Sequence, residues 1–88
     1  MIDHVSIAVS DLAGSAAFYE AVLAPLGYRK LVERPATIGF GKTYPEVWLN
    51  ARPQMAPVPE DTGAHIALRA RDAAAVEAFH AAALRHGG

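Results

Sequence analysis

The stretch DHVSIAVSDL, Asp3–Leu12, decides the fold, because the chain carries it twice. Displaced along the sequence, it lies over AHIALRARDA, Ala64–Ala73, so that His4 falls on His65, Val5 on Ile66, Ile7 on Leu68 and Asp11 on Asp72. The register then runs on without a gap, placing Phe18 on Phe79, Leu23 on Leu84 and Gly27 on Gly88, which defines an internal repeat of residues 1–27 on 62–88. Three of the eight identities are Ala on Ala and weigh little in an Ala-rich chain; the His, Asp, Phe, Leu and Gly in one register carry the match. Self-similarity of this kind constrains architecture more than any local propensity does.

Each copy has the pattern of a strand followed by a helix. Asp3, Val5, Ile7 and Val9 alternate with His4, Ser6 and Ala8, the period of two expected of a strand with one apolar face. Asp11 offers an N-cap oxygen to the helix that follows, where Leu12, Ala16, Tyr19, Leu23 and Leu26 build a buried stripe widened by Phe18 and Val22. Gly27 is the left-handed stop, and Pro25 distorts the last turn. The second copy predicts a strand over 64–70, a cap at Asp72, a helix carrying Val76, Phe79, Ala83 and Leu84, and a stop at Gly87 and Gly88.

Beyond Gly27 the first copy continues with three extended segments, Tyr28–Glu33, Thr37–Phe40 and Glu46–Asn50, separated by turn residues at Pro35 and over 41–45. Residues 51–63, with Pro53, Pro57 and Pro59, form a linker. The expectation is an α+β fold in a single domain over 1–88. It comprises a βαβββ module over 1–52 and the opening strand and helix of a second module over 64–86. By the same arithmetic a complete second copy would run to about residue 122, so its final three strands are missing and the domain is incomplete.

Composition removes several classes of function. The 88 residues include no Cys, which excludes a disulfide-stapled miniprotein, a zinc-thiolate module and a thiol enzyme. Eight Lys plus Arg against nine Asp plus Glu leave a net charge of −1, without the basic stripe that nucleic acid demands. No apolar run approaches a membrane span and the N-terminus has no signal-peptide pattern, so a cytoplasmic chain that binds neither nucleic acid nor membrane is expected.

The polar strand faces hold the candidate chemistry. One carries His4, Ser6 and Ala8, its counterpart His65, Ala67 and Arg69, and the third extended segment adds Glu46, Trp48 and Asn50. Two histidines and a carboxylate are a facial triad for Fe(II), Mn(II), Ni(II) or Zn(II) with positions open for substrate. Hydrogen-bonded strand histidines are the alternative. Trp48 is either core packing or a substrate platform, and Arg69 either a solvated residue or a partner for an anionic substrate. His80 and His86 lie on the second helix and suggest no chemistry.

The opening DHVSIAVSDLAGSAAFYEAVLAPLGY, together with PEVWLN and AHIALRARDAAAVEAFHAAAL, resembles the vicinal oxygen chelate superfamily: the glyoxalase, bleomycin resistance and extradiol dioxygenase proteins. The resemblance covers essentially the whole chain. It implies paired βαβββ modules curled around a divalent metal, with His4 and His65 matching the first-strand ligands of the two modules. The next ligand position falls at about Trp48, which cannot coordinate; Glu46 lies two residues away on the same face. The last carboxylate of the family pattern belongs to a strand the sequence does not contain.

Three functions follow from residues and resemblance together. The first is metal-assisted lyase or dioxygenase chemistry on a small vicinal-oxygen substrate, with metal on His4 and His65 and substrate against Ser6, Trp48, Asn50 and Arg69. The second is a metal-free module that binds or sequesters a small molecule, using Phe40, Tyr44 and Trp48 for apolar contact. The third is an inactive truncated fragment, stable as a homodimer through its open sheet edges.

Overall fold

The alternation in VSIAV produces a strand, β1 (Val5–Val9), whose valines and isoleucine are half-buried while Ser6 and Ala8 are exposed. In the computed structural model, which describes residues 2–88, β1 leads into α1 (Leu12–Leu23). Asp11 caps that helix as expected, its Oδ1 accepting from the Gly14 amide at 3.1 Å. Pro25 lies in the single 3₁₀ turn Ala24–Leu26, and Gly27, at φ 86°, takes the left-handed turn that a side chain would strain. Three strands follow: β2 (Arg29–Arg34), β3 (Thr37–Gly41) and β4 (Pro45–Ala51). The second helix, α2 (Ala73–Arg85), opens on Asp72, whose Oδ1 accepts from the Ala75 amide at 2.8 Å.

The strands form one mixed sheet in the order β1-β4-β3-β2. The last three make an antiparallel meander, with a register shift in β2 between Lys30 and Val32. β1 joins at the far side of β4 in parallel, with Val5 opposite Val47 and Val9 opposite Ala51. A parallel neighbour requires a crossover, and α1 supplies it across one face of the sheet. The α+β βαβββ module is therefore present as expected.

Burial follows from that crossover. Ile38, Phe40, Val47 and Leu49 point from the sheet toward α1 and meet Ala16, Val22, Leu23 and Leu26; Ala75 and Ala82 of α2 close the same core. Phe40, Leu23, Leu49 and Val22 are the largest side chains fully enclosed. On the opposite face Trp48 lies over Gly39, its register partner. A Cβ at Gly39 would stand 3.0 Å from the indole ring and 3.1 Å from Pro45, so glycine there makes room for the tryptophan.

One expected element does not form. Residues 64–70 carry the strand alternation but join no ladder. In the first module β1 is held by β4, and the 88 residues contain no equivalent of β4 for the second copy, so the segment has no partner for its backbone. Its apolar side is half engaged: Leu68 and Ala70 pack against the core, whereas Ile66 is 51% exposed.

Replacing Gly39 with Ala is expected to push the indole off the sheet and destabilise the fold by about 1–3 kcal/mol. In a Trp48→Ala background the same substitution should cost clearly less, a coupling that chemical denaturation of the four proteins measures.

Candidate functional site

The register that sets Val5 against Val47, continued by one residue beyond β1, brings His4 to the level of Glu46 of β4. Both belong to the face turned away from α1, because Val47 next to Glu46 is buried under the helices. The segment 64–70 runs past the same end of the sheet. Together they enclose an open cleft of about 550 Å³. Its polar lining comprises Asp3, His4, Tyr28, Glu46, His65 and Arg69, and Val5, Val47, Ile66 and Leu68 contribute apolar wall.

Four of the expected site residues, His4, Glu46, His65 and Arg69, thus face one cavity. Ser6, Trp48 and Asn50 do not line it. They lie further along the sheet, where Ser6 is level with Trp48 and Ala8 with Asn50. Asn50 is engaged locally, its Oδ1 accepting from the Thr37 hydroxyl at 3.2 Å. The tryptophan at the anticipated ligand position is therefore one strand step away from His4's own level, which Glu46 occupies.

Tyr28 is the site residue that sequence patterns do not reveal. It follows the Gly27 stop, and its hydroxyl donates to Glu46 Oε2 at 3.1 Å in a half-buried contact. The Lys42 ammonium stands 5.6 Å from the centre of the tyrosine ring, within cation–π range. Burial, then the hydrogen bond to Glu46, then the charge of that carboxylate push the Tyr28 phenol above its ordinary value of 10.0, with Tyr44 adding a smaller push in the same direction. At the rim of the cleft, His4 Nδ1 lies 3.0 Å from Asp3 Oδ2, both side chains largely in solvent.

These residues do not fit a three-ligand metal centre. Among the described residues no group of three or more His, Cys, Asp and Glu side chains stands close enough to hold an ion. Glu46, the one carboxylate at the level of His4, is hydrogen-bonded by Tyr28. The expected triad of His4, His65 and Glu46 shares a cavity without converging on a point.

No helix among the described residues is long and apolar enough to cross a membrane. Over residues 1–88 the chain matches the family described as the Glyoxalase/Bleomycin resistance protein/Dioxygenase superfamily. It is also similar to a solved structure, that of a glyoxalase/bleomycin resistance protein from Albidiferax ferrireducens T118. The two superpose with a TM-score of 0.82 at 26% sequence identity, over 97% of this chain and 68% of that one. No curated protein matches the chain.

Because the phenol's pKa is raised in the folded state, first by burial and then by Glu46, protonated Tyr28 contributes stability that is fully present below the ordinary tyrosine value and lost as pH rises through the raised one. In an ultraviolet titration Tyr28→Phe is expected to remove a phenol that ionises above the ordinary tyrosine value. An unchanged late phase in that variant would show that Tyr28 is not the phenol with the raised value.

Proposed function

The chain belongs to the glyoxalase/bleomycin resistance protein/dioxygenase superfamily, and on that premise we propose that it is a small-molecule-binding protein that works without a resident three-ligand metal. Its ligand occupies the cleft between His4, Tyr28, Glu46, His65 and Arg69. The observation that carries this is the pairing of Glu46 with Tyr28: the carboxylate that a triad would need is turned to a phenol instead. A cavity of about 550 Å³, with apolar walls and a few convergent polar groups, has the size and character of a small-molecule site. Metal-assisted lyase or dioxygenase chemistry, which the family resemblance implies, lacks an assembled ligand set among the described residues.

A second mode of assembly is favoured by a separate observation. β1 is an edge strand, and residues 64–70 beside it are unpaired, so two backbone edges are open next to the cleft. We propose that a second copy pairs along them to form a homodimer, bringing its own cleft residues near the first.

A fragment screen by two-dimensional NMR tests the function. Small molecules should shift amides lining the cleft, equally with and without EDTA, and Ala67→Trp, which fills the cleft from its own wall, should abolish the response. Near-stoichiometric metal in protein purified without chelator, lost on replacing His4 and His65 with Ala, would overturn the metal-independent assignment. Light scattering should return twice the chain mass of 9.3 kDa if the copies pair, and the single mass if they do not.

A further inference from the structure

We infer that the ligand of this cleft is an anion, a small molecule bearing a carboxylate held by Arg69, with His65 donating to a second oxygen. This rests on the cleft being the small-molecule site proposed above. The charged and polar groups that face the cavity are Asp3, His4, Tyr28, Glu46, His65 and Arg69. Their hydrogen-bonding states divide sharply. The two carboxylates are already engaged within the protein, Asp3 by His4 at 3.0 Å and Glu46 by Tyr28 at 3.1 Å. Among the described residues, Arg69 and His65 make no ion pair and no side-chain hydrogen bond.

Arg69 therefore brings a guanidinium with all its donors open to a cavity whose acids have partners. A planar fork of N–H groups matches a carboxylate in two parallel hydrogen bonds, an arrangement a neutral amide or an amine cannot satisfy. His65 adds one N–H from the same segment, four residues away. Ala67 lies between the two donors, and Ile66 and Leu68 supply apolar wall, so the class that fits is an oxygen-bearing carboxylic acid with an apolar body. The neighbouring cation Arg71 is not part of this set: its Nε lies 3.6 Å from Asp72 and it does not line the cleft.

Three probes with one skeleton and different charge test the assignment: phenylacetate, its neutral amide phenylacetamide, and 2-phenylethylamine, each titrated into ¹⁵N-labelled protein while the amides of Val5, Val47 and 66–69 are followed. Phenylacetate is expected to bind at least about tenfold more tightly than the amide, the size of effect that a charge-assisted hydrogen-bond pair gives. Arg69→Gln should erase that preference, Arg69→Lys should retain part of it, and Arg71→Gln should leave it intact. Arg69 is exposed, so these variants are expected to fold. Equal affinity for acid and amide, tighter binding of the amine, or a preference that survives Arg69→Gln overturns the anion assignment while leaving the cleft a small-molecule site. Silence of the cleft amides toward all three probes overturns both.

Discussion

The parallel pairing of β1 with β4 is the constraint on which the rest of the structure depends. It is the longest-range connection in the module, linking Val5 to Val47, and it forces α1 to cross one face of the sheet. Once that face is covered, Ile38, Phe40, Val47 and Leu49 must be apolar, and their alternates are left free for other uses. Placing His4 level with Glu46 is a direct consequence. Shift the pairing by one residue and every side chain of β1 changes face, taking the histidine away from the cleft.

The cleft lies at the seam between a well-packed half and a loosely packed one. On the module side, Glu46 and Tyr28 project from backbone fixed by the sheet and by the Gly27 turn. On the other side, His65 and Arg69 belong to a segment with no ladder of its own, beneath which lie apolar recesses of about 240 and 190 Å³ that share Ile66, Leu68 and Phe79. Open recesses of this kind leave the aliphatic and aromatic groups around them with fewer packing contacts. The donors available to a ligand are thus carried by a segment with no ladder of its own, and Glu46, hydrogen-bonded by Tyr28, by a strand of the sheet.

Local patterns were sufficient for much of the fold. The alternation in VSIAV, the capping aspartates Asp11 and Asp72 and the glycine at 27 each express a requirement of a few neighbouring residues, and each has the expected role. The segment 64–70 has an equally clear alternation and forms no strand, because alternation specifies a face whereas a ladder needs a second backbone. The site shows the same division. That His4, Glu46, His65 and Arg69 share a cavity could be read from strand faces and the repeat. The bond between Tyr28 and Glu46 could not, since the two are eighteen residues apart and meet only through the strand register. Trp48 stands at the anticipated ligand position, but its position is explained by the bare backbone of Gly39 beneath it.

The crossover has a bearing on how the protein is made. β1 leaves the ribosome before its partner β4, which is synthesised some forty residues later, a wait on the order of 2–8 seconds at ordinary rates of translation. During that interval Val5, Ile7 and Val9 form an apolar strand with both edges bare, the kind of nascent segment that attracts chaperones or pairs with a neighbouring chain. β1 is made before the strand that secures it, so the β2–β4 meander can assemble first and serve as the template onto which β1 docks.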